Sequence, residues 1–359
     1  KFENFINPSA FPGTTGIAKS DYFNTPSGPQ LLEYELINGK MVHDGDLILR
    51  AKDLVSANSK SSCASSSSSS GIGTYTPCLT GITKTQYLWN NMVVPYEIGN
   101  EDCRSNILKG ISEWENNTAF DFRERVKTGT APDKSWISFQ GGAGKMAGFS
   151  DSIGMRPEGG AVNIVLGTNA AGYGCVGEGL VAHEIGHALG LYHEQNRSDR
   201  DNYINVYLDR TSKPEAFTKY AETYTYTVKG GAEWGPYDLS SIMHYSSYSY
   251  VSASAINKWK LIWKVGGAAL TAFLSGGFAG LMVFIGSILI DGVANGFDLG
   301  LFMDPVMTTK DGKTFSRSDK LSENDKAHIH HMYGNSCSSI SAGTYKDYSV
   351  PANFFSKSE

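Results

Sequence analysis

The sequence predicts an α+β fold with several strands and two long helices. Segments rich in β-branched and aromatic residues have strand composition at residues 92–96, 136–139 and 161–166. Apolar residues recur at spacings of three and four in residues 105–115, and a second helical pattern covers residues 179–191. Together these segments predict the mixed architecture.

Turn formers and a cap predict the remaining elements. Residues 1–60 are polar and contain several turn formers, and a glycine-rich loop is expected at residues 141–154, between two of the strands. Ser322 precedes a last helical segment as a plausible N-cap residue, because its hydroxyl can accept a backbone N–H of the first turn. That helix is expected to run toward Tyr333.

Composition and charge limit the classes of function. Lysine and arginine number 31 against 36 acidic residues, so the net charge is −5, which argues against a nucleic acid as the main partner. The five cysteines form no CxxC pair, which disfavours a cysteine zinc site and fits disulfides in an oxidising compartment. We therefore expect a secreted protein whose signal peptide has been removed and is not part of this sequence.

A serine-rich tract at residues 56–73 divides the chain. It contains an unbroken run of serine at residues 65–70. Such a tract has too little apolar surface to offset the entropy lost on ordering, so it is predicted to be a flexible linker. The segment that precedes it is expected to be detachable, because flexible polar linkers are readily cleaved by proteases.

The most informative motif is HEIGHALGLYH, which begins at His183. On a helix, residues four apart lie one above the other, so His183 and His187 direct two imidazoles at one point. Glu184 can reach a water molecule on a metal held there. Gly190 lets the chain leave the helix, so that His193 can return as a third ligand. Three imidazoles leave zinc an open position for water, which is typical of a catalytic site.

A plainer interpretation of this motif is a solvated helix face that exposes histidine and glutamate. The apolar residues Ile185, Ala188 and Leu189 in the same run disfavour it. A methionine turn beneath the metal is the second part of the metzincin pattern, and Met243 in the string SIMHY is in the right order downstream. Together the two strings predict a zinc centre with one catalytic ion.

Residues 183–203 (HEIGHALGLYHEQNRSDRDNY) and 241–245 (SIMHY) resemble the astacin family of metzincin zinc endopeptidases. Tyr87-Leu88-Trp89 and the LSENDKAHIHHMY helix, which begins at Leu321, extend the resemblance. It implies a two-subdomain protease with a twisted mixed sheet, an active-site helix and a methionine turn, with the cleft between the subdomains. It also implies protein or peptide substrates, which would pair in extended form with the strand at residues 161–166 on the upper rim.

The resemblance implies a role for each matching residue. His183, His187 and His193 would bind zinc, and Glu184 would act as base and then as proton shuttle. Tyr245 would be a weak extra ligand that swings away to stabilise the oxyanion. Two further positions would support the site: Met243 beneath the metal, and Glu194, which would pair through water with the new N-terminus after activation.

A proenzyme form is also implied, because residues 38–47 resemble the inhibitory motif of astacin prosegments. Asp46 would be the carboxylate that occupies the zinc, with the chain's own propeptide as its partner. Two alternatives are open. The Asp-Gly pair could be an ordinary turn, or Cys63 or Cys78 could bind the zinc as a thiolate instead.

Alignment on Tyr87-Leu88-Trp89 puts the mature N-terminus near Thr80 or Gly81. The predicted units are therefore a propeptide at residues 1–80, a catalytic domain at 81–337 and a C-terminal tail at 338–359. The family typically has two disulfides, and the usual partners of Cys175 and Cys337 are missing here. We expect a Cys103–Cys337 disulfide, which would leave Cys175 unpaired in the mature enzyme.

A hydrophobic insertion at residues 255–303 departs from the family pattern. Its uncharged core at residues 265–290 is longer than the roughly 20 residues that a transmembrane helix needs. Met243 and the final helix should belong to one subdomain, so a single crossing would separate them. Three alternatives are open: a helical hairpin packed on the protease, a membrane-active or hydrophobic-substrate-binding element, and a transmembrane segment. The alternative function is accordingly a membrane-active or adhesive protein that uses an apolar hairpin at residues 256–303 on a protease scaffold.

Overall fold

The computed structural model describes the following residues: 16–25, 28–37, 39–43, 47–49, 80–125, 134–143, 147–168, 174–220, 231–252, 255 and 303–334. The strands are β1 (Ile17–Thr25), β2 (Gly28–Ile37), β3 (Lys40–His43), β4 (Leu47–Leu49), β5 (Thr80–Ile82), β6 (Val93–Ile98), β7 (Asp121–Glu124), β8 (Ser135–Gly141), β9 (Gly148–Ser150), β10 (Gly160–Leu166), β11 (Ile204–Val206), β12 (Gly231–Glu233) and β13 (Met307–Thr309). The α-helices are α1 (Arg104–Asn117), α2 (Glu178–Leu189) and α3 (Glu323–Gly334).

Short 3-10 helices connect these elements at Thr85–Tyr87, Asn90–Met92, Glu101–Cys103, Glu194–Asn196, Arg200–Asn202, Leu208–Arg210 and Pro214–Phe217. In the part of the chain that is described, no helix has both the length and the apolar character required to cross a membrane.

The largest sheet is mixed, which confirms the predicted α+β class. Its strand order is β1-β2-β3-β4-β9-β10-β8-β6-β7. Strands β7, β6, β8 and β10 run parallel to one another, and β9 pairs antiparallel with β10. The three strands expected near residues 92, 136 and 161 are β6, β8 and β10 of this sheet.

Strand β9 corrects two expectations. Gly148–Ser150 lies inside the stretch that was expected to be a glycine-rich loop, and β10, the expected rim, lies between β8 and β9 in the sheet. Within the catalytic part, β9 is therefore the outer strand at one edge of the sheet, and β7 is the outer strand at the other. A three-residue Gly-Phe-Ser strand has too few residues for its own pattern to predict it, and it forms because β10 supplies its backbone partners.

Helices α1 and α2 form where the apolar spacing predicted helices, and they pack against the sheet and against each other. Ile107, Ile111 and Trp114 of α1 are buried in the main core. The indole Nε1 of Trp114 donates a hydrogen bond to the backbone oxygen of Ala182 on α2, at 2.9 Å. This hydrogen bond fixes the position of α2 relative to α1, and therefore its position over the sheet.

The disulfide pairing differs from the expected one. Cys103 is bonded to Cys175. The expected Cys103–Cys337 pairing is therefore wrong, and Cys175 is not unpaired. Cys337 itself lies outside the described residues. Cys103 precedes α1, and the first turn of α1 lies against the loop that leads into α2. Asn106 Nδ2 donates to the backbone oxygen of Val176 at 2.8 Å, which places Cys175 beside Cys103.

The lower part of the molecule contains a separate apolar cluster beside the short ladder of β11 and β13. Ala255 and Met303, the first and last residues of the predicted insertion, belong to this cluster. Asp304 N donates to the Ala255 backbone oxygen at 2.9 Å. The chain thus leaves this cluster and returns to it at one point. Residues 256–302 lie outside the described residues, so the three alternatives for the insertion stay predictions.

The N-terminal segment extends the sheet instead of forming only turns. Strands β1 to β4 form an antiparallel meander, and β4 pairs with β9 in parallel at Leu47 and Ser150. Ile37 and Val42 pack against Phe149 of β9. The predicted propeptide is therefore attached to the edge of the catalytic sheet, although the linker at residues 56–73 lies outside the described residues.

We expect that replacing both Cys103 and Cys175 by serine lowers the free energy of unfolding by about 4 kcal/mol, because the disulfide closes a long loop in the unfolded chain. Denaturant titration of the oxidised protein measures this change. The Cys337→Ser variant is the matched control and should be as stable as the wild type. A non-reducing peptide map that links Cys103 to Cys337 would contradict the pairing.

Candidate metal centre

Helix α2 carries three polar side chains that are fully buried: His183, Glu184 and His187. The helix ends at Gly190, which has φ 110° in the left-handed region that glycine adopts without strain. A Cβ atom at Gly190 would also lie 2.8 Å from Ile82 Cγ1 of β5. The chain therefore turns sharply after the helix, and His193 returns to the two helical histidines.

The three histidines converge as the sequence predicted. Their candidate ligand atoms lie within 4.8 Å of one another, and the Nε2 atoms of His187 and His193 are 3.1 Å apart. His183 Nδ1 lies 2.8 Å from the Ile242 oxygen, and His187 Nδ1 lies 2.9 Å from the Leu191 oxygen. A carbonyl oxygen can only accept, so each Nδ1 carries the proton, and Nε2 keeps the lone pair that a metal requires.

These residues fit a zinc ion. Imidazole nitrogens are typical zinc ligands, and three of them from one helix and the turn after it leave a fourth position open. The tautomers set by Ile242 and Leu191 are those that zinc binding needs. Within the described residues, these histidines form the one group of this kind that could hold a metal ion.

The carboxylate of Glu184 lies against the edge strand β9. A Cβ atom at Gly148 would be 3.0 Å from Glu184 Oε1, so the absence of a side chain lets the strand approach this closely. A chain that pairs with the outer edge of β9 consequently passes beside Glu184.

The segment around Met243 lies against α2 between the two helical histidines. A Cβ atom at Gly186 would be 2.5 Å from Met243 Sδ, so glycine is required where the methionine packs on the helix. This segment is held by Asp325 of α3, whose carboxylate accepts hydrogen bonds from Ser241 Oγ at 2.6 Å and Ile242 N at 2.8 Å. Burial raises the pKa of Asp325 to about 6, although these donors favour the ionised form.

Asp325 and Ser322 also cap helix α3 reciprocally. Asp325 N donates to Ser322 Oγ at 3.0 Å, and Ser322 N donates to Asp325 Oδ2 at 2.9 Å. Ser322 is thus the N-cap that the sequence predicted. The carboxylate of Asp325 therefore both caps the N-terminus of α3 and holds the segment around Met243.

Tyr245 is fully buried, with its ring centroid 4.5 Å from that of His193 and 6.4 Å from that of His183. Its backbone N donates to Gln195 Oε1 at 3.0 Å, which ties it to the turn after His193. The rings of Phe217 and Tyr250 pack around it. The Tyr245 ring thus lies beside two of the three histidines, His193 and His183. Its expected role as a weak extra ligand stays a prediction.

Glu194 is buried beside Arg197, with Oε1 3.4 Å from the arginine Nη1, and it accepts a hydrogen bond from Asp238 N at 2.9 Å. Burial raises the pKa of Glu194 well above its ordinary value, while Arg197 opposes this shift. Nearby, Tyr192 N donates to the Thr80 oxygen of β5 at 2.9 Å. The expected pairing of Glu194 with a new N-terminus stays a prediction.

Several predicted site residues fall outside the described residues. They are Asp46, Cys63, Cys78 and Cys337. The structure therefore does not decide between the aspartate and the two cysteines as the group that blocks the metal. It does describe the strands on either side of Asp46, β3 and β4.

Tyr220 was missed by the sequence analysis. Its hydroxyl accepts a hydrogen bond from the backbone N of His193 at 2.8 Å, and its ring packs on Tyr192 with centroids 4.9 Å apart. It therefore fixes the backbone of the third histidine. No motif surrounds Tyr220, and its partner lies far from it in the sequence, so no sequence signal was available to find it.

Comparison with known proteins gives one family. Residues 81–261 match the model of the peptidase family described as Astacin. The chain is 33% identical over 171 residues to "Zinc metalloproteinase nas-30" of Caenorhabditis elegans, covering 47% of this chain and 20% of that protein. It is 36% identical over 177 residues to "Embryonic protein UVS.2" of Xenopus laevis, covering 47% of this chain and 30% of that protein. The chain thus spans less than a third of the length of these curated relatives.

Among solved structures, the chain is similar to "High choriolytic enzyme 1", a hatching enzyme zinc-protease from the medaka fish Oryzias latipes. The two are 21% identical with a TM-score of 0.45, and the match covers 70% of this chain and 96% of that chain.

We expect Tyr220→Phe to lower the free energy of unfolding by about 1–3 kcal/mol, because the buried His193 N–H loses its acceptor. The same change should speed the loss of bound metal to a chelator, since His193 is then held less firmly. Tyr207→Phe is the control, because the Tyr207 hydroxyl lies 3.4 Å from Thr308 Oγ1, a partner that is not one of the histidines. Equal rates of metal loss in the two variants would contradict this role for Tyr220.

Proposed function

This chain belongs to the astacin family of peptidases, and we propose from that membership that it is a secreted zinc metalloendopeptidase, made as a latent proenzyme. Its substrates would be the peptide bonds of proteins or peptides. The observation that carries this proposal is the convergence of three buried histidines beside the carboxylate of Glu184. Burying these polar side chains costs free energy. A metal ion that assists hydrolysis would bind the histidines and use the carboxylate.

The metal would be held by Nε2 of His183, His187 and His193, with the protonated Nδ1 atoms of His183 and His187 on backbone oxygens. A zinc ion held there would supply a Lewis acid and would lower the pKa of a bound water toward neutrality. Glu184 would act as the general base that takes a proton from the water that attacks the peptide carbonyl. The same carboxyl group would then give the proton to the leaving amine.

Tyr245 would stabilise the negative oxygen of the transition state. Its hydroxyl would donate a hydrogen bond to that oxygen, and its ring beside His193 is close enough to the histidines for this role. The ring packing with Phe217 and Tyr250 limits where the hydroxyl can move. Met243 and Asp325 would act below the site by holding the backbone that orients His183.

An extended substrate would pair with the outer edge of β9. Peptides commonly bind by adding a strand to an exposed sheet edge, and β9 passes directly beside Glu184. In the uncleaved chain, β4 pairs with this edge at Ser150. The prosegment would therefore cover the place where a substrate binds, and its removal would uncover it.

Asp46 would block the metal in the proenzyme. It lies outside the described residues, but it directly precedes Leu47, which pairs with Ser150 two positions from Gly148. This neighbourhood supports the aspartate over Cys63 and Cys78, which are far along the chain from β4. The Cys103–Cys175 disulfide supports secretion, because such bonds persist in oxidising compartments.

We expect Glu184→Gln in the processed protein to lower kcat for casein or peptide cleavage by about 10²–10⁴-fold, because the general base is lost. Zinc content by mass spectrometry should stay at that of the wild type, since the histidines are unchanged. Glu178→Gln, at the start of the same helix, is the control and should cleave normally. Full activity of the Glu184→Gln variant, or of a protein stripped of metal, would contradict the mechanism.

We expect Asp46→Ala to give activity without processing, because the blocking carboxylate is absent. Cleavage of a quenched fluorescent peptide by the uncut chain measures this, with gel analysis to verify that the chain is intact. Asp44→Ala is the control and should stay latent. If the Asp46→Ala chain is latent and a Cys63→Ser or Cys78→Ser chain is active, the block is a cysteine thiolate.

A further inference from the structure

A buried imidazole lies between Met243 and Tyr245 in the chain and has a partner on each ring nitrogen. It belongs to His244, whose Nδ1 is 2.6 Å from the backbone oxygen of Tyr245 and whose Nε2 is 2.7 Å from the hydroxyl of Tyr237. Neither His244 nor Tyr237 takes part in the proposed chemical step. Their contacts nevertheless end on the residue that would stabilise the transition state.

The two hydrogen bonds run in one direction. A carbonyl oxygen only accepts, so Nδ1 of His244 carries a proton and donates it to the Tyr245 oxygen. Burial lowers the pKa of His244 to about 4, so the ring is neutral at neutral pH and Nε2 can accept. Burial and, after it, the charge of Glu194 raise the pKa of Tyr237, so its hydroxyl keeps the proton that it donates to Nε2.

The backbone of Tyr245 is therefore held from two sides. Its N–H donates to Oε1 of Gln195, which lies in the turn two residues after His193. Its carbonyl oxygen accepts from His244, whose ring is held in turn by Tyr237. With both backbone groups fixed, only rotation about its own side-chain bonds can move the phenol of Tyr245.

Packing holds the imidazole of His244 in the orientation that both bonds need. The rings of Tyr237 and Phe315 lie edge to face with it, at centroid distances of 5.5 Å and 5.0 Å. Phe315 is tied to Ser247, because Phe315 N donates to Ser247 Oγ at 2.9 Å and Ser247 N donates to the Phe315 oxygen at 3.0 Å. An apolar side chain could fill this space, but only a neutral imidazole can accept at one nitrogen and donate at the other.

We propose that His244 and Tyr237 are positioning residues for Tyr245, because their chain of hydrogen bonds fixes the backbone from which the Tyr245 hydroxyl reaches the transition state. This inference rests on the proposed protease function. It goes beyond that function by assigning a task to two residues that contact neither the histidines' candidate ligand atoms nor the substrate. A small displacement of a stabilising group is enough to slow a reaction, so their effect falls on kcat.

Steady-state kinetics of the processed protein test this role. Tyr237→Phe should lower kcat about tenfold, the scale of one buried hydrogen bond, while KM and zinc content stay at the wild-type values. His244→Asn should match Tyr237→Phe, because the asparagine amide keeps a donor near the position of Nδ1 and loses only the acceptor. His244→Leu lacks both groups, and its kcat should fall about tenfold further.

A double-mutant cycle separates positioning from a general structural role. If Tyr237 acts through Tyr245, Tyr237→Phe should have no further effect on kcat in a Tyr245→Phe background. The matched control is Tyr203→Phe, because the Tyr203 ring stacks on that of Tyr237 with centroids 4.9 Å apart and keeps this contact without its hydroxyl. An equal loss of kcat in both backgrounds, or no loss in Tyr237→Phe, would overturn the proposal.

Hydrogen–deuterium exchange without substrate gives a readout that does not depend on cleavage. The amide of Tyr245 should exchange about tenfold faster in Tyr237→Phe than in the wild type, and Tyr203→Phe should leave the rate unchanged. Faster exchange in Tyr237→Phe with no cleavage by the wild type would refute the protease and leave the positioning of the Tyr245 backbone intact. Cleavage by the wild type with equal exchange in all three proteins would refute the positioning and leave the protease intact.

Discussion

The hydrogen bond between His183 Nδ1 and the backbone oxygen of Ile242 connects the parts of the molecule on which the metal centre depends. It joins helix α2 to the segment before Met243, and Asp325 of α3 holds that segment from the other side. A histidine can present Nε2 to a metal only if its ring is fixed and the other nitrogen keeps its proton. Residues from the middle and the end of the chain therefore cooperate to orient one imidazole.

The same requirement explains the small residues of the motif. Gly186 leaves space for the Met243 side chain, and Gly148 lets the edge strand approach Glu184. Gly190 allows the turn that returns His193 to the other histidines, and Tyr220 then holds the backbone of that histidine. Each of these residues acts by shape or by one hydrogen bond. Of these residues, the sequence singled out Gly190 alone, because it follows the two helical histidines.

The N-terminal segment is attached to the catalytic part of the sheet by contacts of different kinds. Backbone pairing of β4 with β9 does not depend on side chains, whereas the ion pair between Glu35 and Lys213 depends on charge. Ile37 and Val42 add an apolar contact with Phe149 of β9. The attachment of this segment therefore combines a general backbone contact with contacts that depend on particular side chains.

The sequence by itself determined the α+β class, both long helices, three strands of the sheet and the set of histidines, because helical spacing and the HExxH motif are local patterns. Tertiary structure decided what depends on partners distant in the chain. The Cys103–Cys175 pairing follows from the contact between α1 and the loop before α2, and the edge position of β9 follows from its partner β10. The contact between Tyr220 and His193 joins residues that are 27 positions apart, and the neighbourhood of Tyr220 carries no signal. Local periodicity encodes which face of an element is buried, but only the packed chain determines which elements meet.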